Sequence, residues 1–131
     1  MKKYHFLNKS ILDGLFEVKK ASGSASHDTN EMFKLCEQTL EKGYVYLAYS
    51  ITNKNTGDYD VINSKIYGTH CDVHTEVVRG TGGSGGGVTC IAIVNNVQDN
   101  ASIGTFTYAY SKNLTYGAYL YVCKIGVDLS Q

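Results

Sequence analysis

The stretch of sequence that decides the fold is residues 44–52, Tyr44-Val45-Tyr46-Leu47-Ala48-Tyr49-Ser50-Ile51-Thr52. Side chains of a β-strand point alternately to its two faces. Here Val45, Leu47, Tyr49 and Ile51 share one face, and the residues between them share the other. Aromatic and β-branched side chains suit a pleated, half-buried surface. The stretch therefore predicts a β-strand.

Five more segments with strand character follow, at residues 59–67, 71–79, 88–94, 105–111 and 117–125. Residues 88–94 are apolar on both faces, as in a central strand that is covered on both sides. The strands recur with turn signals about every ten residues, which is typical of a β-sandwich or barrel. We therefore predict a single all-β, antiparallel domain.

The segment before the first clear strand allows two interpretations. Residues 27–42 fit a short helix that Asp28 or Thr29 would cap. Residues 32–39 also fit an extended strand. The sequence alone leaves this element open between helix and strand.

The N-terminal part of the chain is assigned to an arm. The run Ala21-Ser22-Gly23-Ser24-Ala25-Ser26 has the composition of a flexible break. We therefore divide the chain into a short N-terminal arm, residues 1–26, and a sandwich domain, residues 27–131.

The length and the balanced charge of the chain indicate one domain and argue against nucleic acid or a membrane as its main partner. The 131 residues fit one domain. The 12 basic and 12 acidic residues balance and are scattered along the chain. Nucleic acid or an anionic membrane as main partner would need a concentrated positive field. Polar residues interrupt the apolar run that follows Met1, so we predict neither a signal peptide nor membrane insertion.

The four cysteines are Cys36, Cys71, Cys90 and Cys123, and no two of them form a Cys-x-x-Cys pair. For a chain without a signal peptide, this spacing favours reduced, mostly buried thiols. Two disulfide bonds are the alternative.

Residues 40–126 carry an ordered set of strand motifs that resembles a known family. The set begins with Leu40-Glu41-Lys42-Gly43-Tyr44-Val45-Tyr46-Leu47 and continues with Val88-Thr89-Cys90-Ile91-Ala92-Ile93-Val94. It ends with Thr105-Phe106-Thr107-Tyr108-Ala109-Tyr110-Ser111 and Tyr119-Leu120-Tyr121-Val122-Cys123-Lys124-Ile125-Gly126. This order resembles tumour-necrosis-factor-like and complement-head-like jelly rolls. The closing Lys-Ile-Gly is similar to the trimeric heads of many bacteriophage fibres.

The resemblance implies an antiparallel jelly-roll sandwich that assembles as a homotrimer, with aromatic strands at the threefold axis. The composition agrees, because a contiguous exposed aromatic patch marks a contact site. The candidates for the trimer interface are six strand tyrosines: Tyr44, Tyr46, Tyr108, Tyr110, Tyr119 and Tyr121.

The resemblance also implies a non-enzymatic phage virion protein, either a capsid or tail decoration or a fibre head. No collagen-like tract or heptad run precedes residue 40. We therefore expect residues 1–26 to dock onto other proteins of the virion, in a particle made in the host cytoplasm. A secreted-type trimeric ligand that binds a protein receptor is the alternative.

Attachment to a host glycan or protein would use loops. Tyrosine rings stack on sugars while polar side chains bind their hydroxyls, and an arginine can bind an anion. The ligand-binding candidates are Tyr59, Asp60, Asn63, Arg79, Asn113 and Tyr116. Arg79 precedes the Gly-rich residues 80–87, which fit an adaptable recognition loop. Packing is the alternative role for these tyrosines.

One segment offers metal ligands. In a strand, His70, Asp72 and His74 would share one face with neighbours about 6.5–7 Å apart. Imidazole and carboxylate groups bind transition metals. A metal-binding hydrolase is therefore a further alternative. A solvent-facing polar strand is the interpretation that we adopt, so we predict no cofactor and no catalytic residue.

Overall fold

The computed structural model of the chain describes residues 18–27, 32–54, 63–79, 87–108 and 114–130. Within these ranges the secondary structure consists of strands, and no helix occurs. The strands are β1 (Val18–His27), β2 (Met32–Thr39), β3 (Tyr44–Lys54), β4 (Asn63–Thr69), β5 (Asp72–Arg79), β6 (Val88–Asn95), β7 (Ser102–Tyr108) and β8 (Leu114–Val127). The predicted all-β domain is confirmed.

The strands form two antiparallel sheets that enclose one core. The larger sheet has the order β1-β8-β3-β6-β5, and the smaller sheet has the order β2-β7-β4. A jelly roll places strands 1, 8, 3 and 6 in one sheet and strands 2, 7, 4 and 5 in the other. Seven strands of this chain follow that order. β5 departs from it because it pairs with β6 at the edge of the larger sheet.

The core lies between the inner faces of the two sheets. In β3, Tyr46, Ala48 and Ser50 are buried, while Leu47 and Tyr49 between them are exposed. The strand at residues 44–52 is therefore confirmed, and its inner face is the one that carries Tyr46. Burying a large apolar side chain contributes roughly 1.5–3 kcal/mol, so this layer is the main source of stability.

A buried hydroxyl cluster connects the two sheets. Thr52 Oγ1 of β3 lies 2.8 Å from Ser64 Oγ of β4, and Thr107 Oγ1 of β7 donates to the same oxygen at 3.2 Å. Ser64 donates its single proton to the Phe106 carbonyl oxygen at 3.0 Å. Thr52 must therefore be a donor to Ser64. These bonds fix how the larger sheet sits on the smaller one.

β2 explains why residues 27–42 were ambiguous. The strand interpretation is correct for residues 32–39, and a helix over these residues is wrong. The register against β7 shifts between Lys34 and Cys36. Because of this bulge, Phe33, Leu35 and Cys36 are all buried, and their spacing imitates the inward stripe of a helix.

β1 corrects the interpretation of residues 21–26 as a flexible break, since they pair with β8 throughout. At Gly23 a side chain is excluded because the two sheets approach closely. A Cβ atom on Gly23 would lie 1.9 Å from the Leu35 carbonyl oxygen of β2. The larger sheet thus begins at Val18, inside the segment assigned to the N-terminal arm. Residues 1–17 lie outside the described residues.

One end of the sandwich is held by turn hydrogen bonds. Asn96, in the loop between β6 and β7, adopts a left-handed conformation (φ 50°), which asparagine tolerates better than most residues. Its backbone N–H donates to Asp128 at 2.9 Å, and the N–H of Ser130 donates to the same carboxylate at 3.0 Å. The C-terminal turn is thereby attached to the β6–β7 loop.

Candidate functional site

The outward surface of the larger sheet is built from cross-strand rows, because directly paired residues share a face. The central row from β1 to β5 is Lys20, Tyr121, Tyr49, Ile91 and Glu76. The rows on either side are Val18, Cys123, Leu47, Ile93 and His74, and Ser22, Tyr119, Ile51, Thr89 and Val78. We call these three rows the large-sheet face.

The large-sheet face exposes apolar side chains over most of its area. Seven large ones are exposed: Val18, Leu47, Tyr49, Val78, Ile91, Ile93 and Tyr119. Their exposed fractions range from 37% at Tyr49 to 59% at Val18. Together they expose on the order of 600 Å², at the upper end of the roughly 300–600 Å² that the largest patch of a monomer usually covers. A surface of this kind marks a contact site.

Polar and charged side chains lie at the margins of the large-sheet face. Lys20 is on the edge strand β1, and Glu76 and His74 are on the opposite edge strand β5. The Lys20 Nζ atom lies 4.5 Å from the ring centroid of Tyr119 and 5.6 Å from that of Tyr121. An apolar centre with a polar margin is the usual anatomy of a protein–protein interface.

A cleft of about 290 Å³ adjoins the face between β1 and β8. It is lined by Ser22, Gly23, Ser24, Gly117, Ala118 and Tyr119. A Cβ atom on Gly117 would make only ordinary van der Waals contacts, the nearest at 3.8 Å from the Gly23 carbonyl oxygen, so the cleft has room for a small side chain at this position. This gives the face a concave part that a side chain of another molecule can enter.

The structure separates the tyrosines predicted at a trimer interface. Tyr119 and Tyr121 lie on the large-sheet face. Tyr46 is corrected to a core residue, because it is 5% exposed and its hydroxyl accepts the backbone N–H of Glu41 at 2.8 Å. Tyr44 packs against the core on the same side, with Lys124 Nζ 4.0 Å from its ring centroid.

The remaining two interface candidates do not join that face either. Tyr108 belongs to β7 in the smaller sheet, where it pairs with Met32 and Asn63. Tyr110 lies outside the described residues. The described tyrosines of the set therefore form no single patch. The sequence could not show this, because alternation along a strand does not tell which of its two faces points to the core.

Of the ligand-binding candidates, Tyr116 is corrected to a core residue. It is 1% exposed and meets the Phe33 ring edge-on, with the centroids 5.6 Å apart. Asn63 begins β4 and Arg79 ends β5. Tyr59, Asp60, Asn113 and residues 80–86 of the Gly-rich run lie outside the described residues. A loop site for a glycan thus stays a prediction.

The three metal-ligand candidates are not brought together within one chain. His70 is in the turn between β4 and β5 (φ 58°) and not in a strand. Asp72 accepts a hydrogen bond from Asn96 Nδ2 at 3.2 Å, and His74 Nε2 lies 3.1 Å from Asn95 Oδ1. Across the described ranges, no group of three His, Cys, Asp or Glu side chains is placed to hold a metal ion.

None of the four cysteines forms a disulfide bond, so all four are thiols. Burial raises the pKa of the Cys36, Cys71 and Cys90 thiols above its ordinary value. A raised pKa lowers the thiolate fraction, and the thiolate is the nucleophilic form. These three residues are therefore packing residues.

The sequence did not single out Leu47, Tyr49, Ile91 and Ile93 as members of an exposed apolar face. The signal was present in β6, whose residues 88–94 are apolar on both faces and so call for cover on both sides. The structure covers one side with the smaller sheet and leaves Ile91 and Ile93 exposed on the other.

No helix within the described ranges is long and apolar enough to cross a membrane. No protein-family model, curated protein or solved structure matches the chain. The geometry of the large-sheet face and the strand order are therefore the basis for inferring the function.

Proposed function

We propose that this chain is a non-enzymatic surface protein of a bacteriophage particle that assembles as a homotrimer through the large-sheet face. The observation that carries the proposal is the apolar centre of that face. Covering on the order of 600 Å² contributes about 15 kcal/mol per copy. This gain is of the same order as the roughly 4–15 kcal/mol of translational and rotational freedom that association costs. A second copy of the same chain supplies a matching apolar surface.

The width of the larger sheet supports three copies. Five strands at about 4.8 Å spacing make a sheet roughly 24 Å wide, and three such sheets in a triangle would each lie about 7 Å from the axis. Side chains between packed sheets fill about 5 Å on each side, so long side chains such as Tyr49 and Tyr121 would reach the axis and fill the interior.

In this trimer the smaller sheet and its loops face outward. They are therefore free to contact neighbouring proteins of the particle or a host glycan or protein. The chain would serve as a capsid or tail decoration or as a fibre head. Since β1 belongs to the sheet, docking onto the particle falls to residues before Val18.

The four free thiols support this proposal over a secreted-type ligand. Secreted domains of this kind commonly carry disulfide bonds. Here Cys90 is fully buried, and its Sγ donates to the Ser64 carbonyl oxygen at 3.1 Å. It acts as a small core residue in the reduced form.

Light scattering on the purified chain tests the assembly. We expect a mass three times that of the 14.3 kDa chain at micromolar concentration. A stable monomer would contradict the proposal. Immunogold labelling of particles from cells that carry the gene tests the location, and label found away from particles would contradict a virion role.

A further inference from the structure

The two margins of the large-sheet face carry opposite charges at the same level along the strands. Lys20 on β1 and Glu76 on β5 are the two ends of the central row. Both side chains are exposed. Four strand spacings, about 19 Å, separate them within one chain, which is well beyond the screening length of roughly 8 Å at physiological ionic strength. They cannot pair inside one chain.

Each of the two charges is placed to meet a partner from outside. Glu76 forms no ion pair or hydrogen bond with any residue in the described ranges. Lys20 lies over the rings of Tyr119 and Tyr121, so its stem already covers the apolar margin while its ammonium stays exposed. Charges also protect edge strands from unwanted pairing, but protection alone does not require opposite signs at one level.

We propose that Lys20 of each copy forms an ion pair with Glu76 of the partner subunit, so that three equivalent joints close the ring. This inference depends on the proposed homotrimer. Rotation about an axis parallel to the strands keeps the height of every residue. It brings the β1 edge of one copy beside the β5 edge of the next, and residues of one row meet at each joint.

The neighbouring rows agree with this arrangement. At the same joint, Val18 would meet His74 of the partner subunit, and Ser22 would meet Val78 of the partner subunit. In none of the three rows do like charges meet. In a two-fold, face-to-face dimer whose axis is perpendicular to the strands, Lys20 would instead face Lys20 of the partner subunit. Such repulsion against a wrong assembly is a common source of specificity.

Charge reversal tests the inference in the full chain. Lys20→Glu and Glu76→Lys each turn three attractive contacts into repulsive ones. We expect each to raise the concentration of half-dissociation by at least about tenfold at low salt. The double variant restores the pairs in reversed order and should return close to the original value. Lys65→Glu, on edge strand β4 of the smaller sheet, is the matched control and should change nothing.

The outcomes separate the inference from the proposed function. If the single reversals leave the trimer unchanged, or if the double variant is no better than the single ones, the ion pair is refuted while the trimer stands. If the unmodified chain is a monomer, both are refuted. Thermal unfolding of each variant checks that the subunit remains folded.

Discussion

The two sheets present very different surfaces to their surroundings. On the smaller sheet Lys34 and Lys65 lie on the two edge strands, β2 and β4, and only Phe106 of the single central strand separates them in their row. Lys34 also forms a 2.9 Å ion pair with Glu37. On the larger sheet the charges lie at the two edges, and the three central strands present apolar side chains. The smaller sheet therefore has the surface of a solvated face, and the larger sheet has the surface of an interface.

Tyr67 and Tyr119, one on each sheet, illustrate the difference between the two surfaces. Tyr67 on the smaller sheet is 44% exposed and Tyr119 on the larger sheet is 45% exposed. Tyr67 meets the Phe106 ring edge-on at 5.5 Å within a charged neighbourhood. Single exposed aromatic residues of this kind are normal on soluble proteins. Tyr119 continues a contiguous apolar surface, so its surroundings, and not its exposure, distinguish it from Tyr67.

The largest expected effect comes from a charge at the centre of the large-sheet face. In the proposed trimer, Ile91→Asp would place three carboxylates near the threefold axis, and burying each without a partner costs several kcal/mol. We expect a folded monomer, seen as a one-third mass by light scattering with an unchanged far-ultraviolet circular dichroism spectrum. Tyr67→Asp on the other sheet is the control and should remain a trimer. A trimeric Ile91→Asp variant would contradict our assignment of the interface.

The second-largest expected effect is on the free energy of unfolding, and it compares a substitution on the inner side of the larger sheet with one on its outer side. Gly23→Val should lower the free energy of unfolding by roughly 2–3 kcal/mol, because overpacking at the contact with β2 forces the sheets apart. Urea unfolding measures the change. Gly117→Ala is the control, since its added methyl makes only ordinary van der Waals contacts, the nearest at 3.8 Å, and its effect should stay within about 0.5 kcal/mol. Equal effects would show that the close contact at Gly23 has been misjudged.

A smaller effect, on the concentration of half-dissociation, is expected from substituting one of the two nearly equally exposed tyrosines, Tyr119 and Tyr67. Tyr119→Ser removes apolar area that is exposed in the isolated subunit and would be covered in the proposed trimer, which costs roughly 1.5–3 kcal/mol per copy. The concentration of half-dissociation, measured by analytical ultracentrifugation, should rise by at least about tenfold. Tyr67→Ser should leave it unchanged. Matching shifts in the two variants would remove the distinction between the two faces.

The smallest effect concerns the C-terminal turn, which belongs to neither face. Hydrogen bonds from the Ser130 hydroxyl and from the N–H groups of Asn96 and Ser130 lower the pKa of the Asp128 carboxyl below its ordinary value. Its contribution to stability is therefore complete above an unfolded pKa of about 3.9 and is lost as the pH falls through the lower folded pKa. Asp128→Asn should make thermal unfolding less dependent on pH below about pH 4 without changing the trimer mass. An unchanged pH profile would argue against these bonds.

The sequence predicted much of the fold because alternation reports strands directly. The strands at residues 44–52 and 88–94 were found with nearly their observed bounds. The bulge in β2 could not be seen, since an extra residue shifts the inward positions and imitates a helix. The strand β1 was missed because its small residues satisfy a sheet-to-sheet contact with Leu35, and such a contact depends on a distant part of the chain.

The candidate site was predictable only in part. The need for cover on both sides of β6 was visible in the sequence, but the faces of the tyrosine strands were not assigned correctly. Tyr46 and Tyr116 belong to the core, and only the pairing of β3, β8 and β6 shows that Tyr49, Tyr121 and Ile91 form one row. Cross-strand register is set by tertiary packing and turns.

Hydroxyl-radical footprinting of the unmodified protein tests the central claim most directly, because Tyr67 and Tyr119 have nearly equal exposure in the isolated subunit. If copies of the chain cover the large-sheet face, Tyr119 should be modified several-fold more slowly than Tyr67, and the Ile91→Asp variant should remove this difference. Equal modification of the two tyrosines in the unmodified protein would show that the large-sheet face is open to solvent and would contradict the assembly proposed here.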